Sequence, residues 1–85
     1  MQAEELESVF RSNLRNRRIE CGLTQADVAR LSGIPQPHIS AFERGTKAPT
    51  VGTVARLAEA LACPPSALFS LEAAELAEKN LQNCR

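Results

Sequence analysis

The stretch TQADVARLSGIPQPHISAFERG, residues 24–45, decides the fold. Thr24 is a favoured N-cap, because its hydroxyl accepts a hydrogen bond from a backbone N–H that the first helical turn leaves unpaired. Asp27, three residues on, stands where a full capping box carries Glu or Gln. Val28 and Ala29, with Leu31, then supply one apolar face over two turns. Gly33 breaks the pattern at a place where a positive φ costs least. A second segment starts near Gln36-Pro37 and sets Ile39 and Phe42 three apart on one face, and Gly45 ends it as a C′ residue. Two helices this short and this tightly joined must cross steeply, the arrangement of a helix-turn-helix. Such a pair pushes its second helix out from the domain body, where exposed side chains can enter a DNA major groove.

Working outward, residues 4–21 read as a first helix with Leu6, Phe10 and Leu14 as its apolar stripe and Gly22 as its stop. After a loop through Pro49, Thr50 caps a fourth helix in which Val51, Val54, Leu57, Ala58 and Leu61 recur at helical spacing. Cys63-Pro64-Pro65 breaks the chain, and residues 66–71 form a short fifth helix that turns Leu68 and Phe69 inward. The tail, 72–85, is rich in helix formers and carries a favourable Glu75–Lys79 pair. Its apolar edge of Ala73, Leu76, Ala77 and Leu81 either lies on its own domain or forms a dimer contact. No alternating β-branched run occurs, so the chain is all-α: one domain over 1–71 and a C-terminal helical extension over 72–85.

With 85 residues, 44% hydrophobic and 24% charged, the chain fits one small soluble domain, not a disordered tail. All three phenylalanines, Phe10, Phe42 and Phe69, sit in apolar periodic segments and belong to the core. Cys21, Cys63 and Cys84 are odd in number and widely spaced, which is neither a disulfide framework nor zinc spacing. They read as reduced thiols in a cytoplasmic protein, with Cys63 in a core slot. The acidic start is no signal peptide, and no apolar run reaches the roughly 18 residues of a membrane span. Neither a nucleophile–base pair, a phosphate-cradling loop nor a metal constellation is present, so the expectation is no enzyme, no cofactor and no metal. The lone His38 has no catalytic companion.

Net charge is zero, yet its distribution is uneven. Residues 1–10 carry −3, residues 11–56 carry +5 and residues 57–85 carry −2. The basic middle coincides with the crossed helices, and charges beyond a Debye length of ~8 Å do little to cancel its field. That favours a nucleic-acid partner. Arg11, Arg15 and Arg17 are most simply read as solubilising residues, the alternative being that one or two of them reach the flanking phosphates.

Over residues 14–69 the chain resembles the lambda repressor and Cro-like helix-turn-helix family, the xenobiotic-response-element family. The series that carries the likeness is Arg18, Gly22-Leu23-Thr24-Gln25, Val28-Ala29, Ser32-Gly33-Ile34, Ile39-Ser40, Phe42-Glu43-Arg44-Gly45, Pro49-Thr50, Leu57-Ala58 and Ala60-Leu61. The resemblance implies a compact five-helix domain that binds double-stranded DNA as a transcriptional regulator, a homodimer on a two-fold operator. It implies that Gln25 hydrogen-bonds a phosphate and braces Gln36, and that Gln36 pairs with adenine. Pro37, His38, Ser40 and Ala41 would share or flank the base-reading face, while Arg44, Thr46 and Lys47 clamp the DNA backbone. Arg18 and Glu43 would form an internal ion pair between the first and third helices. Two positions depart from the family: Pro37 replaces a polar base reader, and Arg44 replaces the frequent Asn before Gly45. The alternative is an antitoxin-like or bridging module that grips a protein partner through 72–85.

Overall fold

The computed structural model describes residues 1–72. Four α-helices run in order, α1 (Ala3–Glu20), α2 (Gln25–Ser32), α3 (Gln36–Arg44) and α4 (Val51–Ala60), followed by one 3₁₀ helix at Pro65–Phe69. Among the described residues there is no strand.

Local chemistry sets the ends of each helix. The Thr24 hydroxyl accepts from the Asp27 N–H at 3.0 Å, and Asp27 Oδ2 accepts from the Thr24 N–H at 2.9 Å. This is a complete capping box, with Asp doing the work of Glu at the start of α2. Gly33, at φ +74°, donates its N–H to the Ala29 carbonyl and turns the chain into α3. Pro37 falls in the first turn of α3, where its missing N–H would have had no helical acceptor. At the other end of α3, the Gly45 N–H reaches Phe42 O and the Thr46 N–H reaches Ala41 O, the paired bonds of a Schellman cap. The end of α4 repeats that pattern through Ala62 N–H to Glu59 O and Cys63 N–H to Ala58 O. Here the left-handed residue is Ala62 at φ +53°, not a glycine.

The core takes Phe10 and Leu14 from α1, Val28 from α2, Ile39 and Phe42 from α3, and Val54, Leu57 and Ala58 from α4. Ile34 and Leu61 close it from the turns and Leu68 from the 3₁₀ helix. Each large side chain buried in this way contributes about 1.5–3 kcal/mol. Phe10 meets Phe42 edge-on at 6.4 Å and stacks on Phe69 at 5.6 Å, tying α1 to α3 and to the 3₁₀ helix. Ala29 packs against this core from α2.

Periodicity overstated three positions. Leu6, Leu31 and Val51 belong to apolar stripes, yet they are 41%, 50% and 90% exposed. Val51 is the first residue of α4, and helical Cβ atoms tilt toward the N-terminus, so its side chain projects past the element it should cover. The short fifth helix expected over 66–71 is a 3₁₀ helix at Pro65–Phe69, with Ser70 extended. Asn13 holds this segment, its Nδ2 donating to the carbonyls of both Leu68 and Ser70 at 3.0 Å. Asn13 is itself buried, at 4% exposure, in an otherwise apolar core. The C-terminal extension expected over 72–85 lies, past Glu72, outside the described residues. No described helix is long and apolar enough to cross a membrane.

Candidate nucleic-acid interface

The orientation of α3 depends on one carboxylate. Glu43, in the last turn of α3, accepts two bonds from one guanidinium edge of Arg18 on α1: Nε to Oε2 at 2.7 Å and Nη2 to Oε1 at 2.9 Å. The side chains are 15% and 5% exposed for Arg18 and Glu43. Arg18 Nη1 also donates to the Leu23 carbonyl at 2.9 Å, so the guanidinium spans the α1–α2 turn as well. Hydrogen bonding to Glu43 raises the Arg18 pKa further, while burial opposes it, so Arg18 stays charged. Gln25, the first residue of α2, donates Nε2 to the same Glu43 Oε1 at 3.2 Å. Three helices therefore meet at Glu43.

This corrects one expectation. Gln25 was to brace Gln36, but its amide nitrogen donates to Glu43, at the opposite end of α3. An amide nitrogen carries two protons, so one remains to be donated outward.

Against this fixed frame, α3 shows two faces. Ile39 and Phe42 are buried. Gln36, Pro37 and His38 are exposed, and Ser40 and Ala41 are half-buried beside them. Arg44, Thr46 and Lys47 are exposed just past the helix. The Thr46 hydroxyl donates to the Ala41 carbonyl at 3.3 Å and so helps to close the helix end. The expected base-facing residues thus lie on α3, with Arg44, Thr46 and Lys47 at its end and in the following loop, while Gln25 stands on α2.

Two polar residues at this scaffold went unrecognised in sequence. Arg17 donates Nε to Leu61 O at 3.0 Å and Nη2 to Ala62 O at 3.2 Å, capping the end of α4 instead of merely solubilising α1. Asn13 is the other. The only signal is position: 10, 13, 14 and 17 fall on one side of a helix, so a polar residue there faces neighbours, not water. Cys63, near Arg17, is half-buried, and burial pushes its thiol pKa up, which keeps it protonated. Among the described residues no cluster of three or more His, Cys, Asp or Glu side chains is placed to hold a metal.

Residues 14–68 match the family model for the helix-turn-helix, and the chain belongs to that family. Over 71 residues, 84% of this chain and 64% of the relative, it is 34% identical to the cryptic phage CTXphi transcriptional repressor RstR of Vibrio cholerae. Over 50 residues, 59% of this chain and 65% of the relative, it is 48% identical to an uncharacterised HTH-type transcriptional regulator, y4dJ, of Sinorhizobium fredii. The chain spans just under two thirds of the length of the curated relatives it matches. Its fold is similar to the crystal structure of the restriction–modification controller protein C.AhdI from Aeromonas hydrophila, with a TM-score of 0.72 and 33% identity over 74% of this chain and 96% of that one. The family and these relatives are regulators, not enzymes.

Proposed function

We propose that this chain is a sequence-specific, DNA-binding transcriptional regulator, cytoplasmic, that works as a homodimer on a two-fold operator. The observation that carries this reading is the outward face of α3: exposed Gln36, Pro37 and His38 on a helix whose other side is locked by Ile39, Phe42 and Glu43. A major groove about 12 Å wide admits such a helix. Gln36 offers a carboxamide to adenine N6 and N7, and Ala41 and Pro37 offer apolar contact to a thymine methyl. His38 and Ser40 donate to base edges or phosphates.

The flanks position this helix. Gln25 directs its second amide proton to a phosphate at the N-terminus of α2, where the helix dipole also attracts an anion. Arg44 and Lys47 hold the backbone beyond α3, and Thr46 exchanges its bond to Ala41 for a phosphate oxygen. One such module reads few bases. Two related by a dyad, on half-sites about 10 base pairs apart, multiply the discrimination. The names of the relatives, a phage repressor and a restriction–modification controller, support a regulatory role.

Selection of bound sites from a random DNA pool tests this directly. The expected product is one short motif in inverted repeat, with affinity that falls steeply as salt rises. Equal affinity for the scrambled sequence, or a flat dependence on salt, would overturn the proposal.

A further inference from the structure

The geometry points to Arg11 as a further DNA-backbone contact, an inference that rests on the DNA-binding reading above. Arg11 sits on α1, one residue past the core Phe10, and is half-buried on the surface. Its guanidinium lies against the backbone of Gly45. A Cβ built at Gly45 would overlap Arg11 Nη1 and come within 3.1 Å of Cζ and 3.3 Å of Cδ. Glycine at position 45 is required by its φ of +78°, and a side chain there would meet the flexible end of Arg11.

The place of that contact gives it meaning. Gly45 stands between Arg44 and Thr46-Lys47, the residues at the end of the reading helix assigned above to the DNA backbone. Arg11 Nη2 donates to the Ser8 hydroxyl at 3.3 Å, a neutral partner. Ion pairs among the described residues join Arg17 to Glu20, Arg18 to Glu43 and Arg30 to Asp27; Glu7, one turn before Arg11 on α1, comes no closer than 4 Å to its guanidinium. A half-buried guanidinium with no ion-pair partner, set against the residue that joins Arg44 to Thr46-Lys47, is suited to a phosphate, which its planar fork can bind through two parallel hydrogen bonds. The phosphate would then be gripped from two elements, α1 and the α3–α4 loop. That grip fixes how the domain is rolled on the duplex without reading a base.

The test compares wild type, Arg11→Ala, Arg11→Lys and Lys47→Ala in the full chain, on the duplex recovered from the random pool, between 50 and 200 mM salt. Loss of one phosphate contact lowers the slope of log K against log salt by about 0.9, so wild type should lose about 3.5-fold more affinity over that range than Arg11→Ala. Arg11→Lys should keep the wild-type slope, and the preferred bases should not change. A wild-type slope for Arg11→Ala beside a shallower one for Lys47→Ala would overturn the inference and leave the regulator standing. A lowered melting temperature with an unchanged slope would overturn it too, by reducing Arg11 to a cap on α3. Flat salt dependence for wild type itself would remove both readings.

Discussion

Replacing Glu43 with alanine should remove about 3 kcal/mol of stability at neutral pH. The substitution deletes the acceptor of three hydrogen bonds, two from Arg18 at 2.7 and 2.9 Å and one from Gln25 at 3.2 Å. Taken separately, bonds to a charged group suggest a larger sum, at about 1.5–3 kcal/mol each. They do not add, because they converge on one carboxylate whose own desolvation opposes them. The relevant quantity is the charge left behind. Breaking a buried pair typically costs about 3–5 kcal/mol. Arg18 keeps its bond to Leu23 O at 2.9 Å and its side chain is 15% exposed, so the loss falls at the lower end. A domain of this size has a total of only roughly 4–13 kcal/mol, at 0.05–0.15 kcal/mol per residue. Urea unfolding followed by far-ultraviolet circular dichroism reads the effect: with a slope near 1 kcal/mol per molar, the midpoint should fall by about 3 M. The double variant Arg18→Met, Glu43→Leu should recover most of the loss, because two apolar side chains need no partner. A midpoint shift below about 1 M for Glu43→Ala would refute the reasoning, since that is the size of an exposed surface pair. So would a double variant as unstable as the two single changes added together.

Three other outcomes follow from local features. Ala62→Gly should stabilise the fold by about 0.5–1 kcal/mol, because φ +53° strains alanine at the α4 cap and glycine escapes that strain at some cost in unfolded-state entropy; an unchanged or lower melting temperature would count against it. Ala29→Leu should overpack the contact of α2 with the core and destabilise by about 1–3 kcal/mol, measured by the same urea titration. The Asp27 carboxylate is held below the ordinary aspartate value, first by the Thr24 N–H, then by the Thr24 hydroxyl and Arg30. Its folded pKa is depressed, so its stabilisation is present above about pH 4 and is lost as pH falls through the lowered folded value. Asp27→Asn should flatten that part of the stability–pH curve, and an identical curve for both proteins would exclude the capping box as its origin.

How far the sequence discloses this structure depends on the range of the interaction. Gly33, Thr24 with Asp27, and the pair Ile39 and Phe42 are legible because each obeys a rule within one or two helical turns. The hold on the 3₁₀ segment is not, because the Asn13 amide that bonds Leu68 O and Ser70 O lies 55 and 57 residues away. Arg17 looked like surface charge for the same reason: its acceptors on Leu61 and Ala62 lie 44 and 45 residues downstream. Val51 has the right period but the wrong neighbours, as periodicity fixes a face and not what stands opposite it. At the candidate interface the outward face of α3 follows from helix phase, whereas the partner of Gln25 depends on how far α3 extends past it.

The nine residues of α3 divide their labour along two independent registers. Ile39, Phe42 and Glu43 answer to the interior, and Gln36, Pro37 and His38 answer to whatever approaches from outside. A change in the second set leaves the first untouched. The helix is therefore built for retargeting: its outward residues can be exchanged as a block, and the scaffold would hold a new set at the same angle. The constraint on such exchange lies at Glu43, the one position where a single substitution would alter both the stability of the domain and the setting of Gln25.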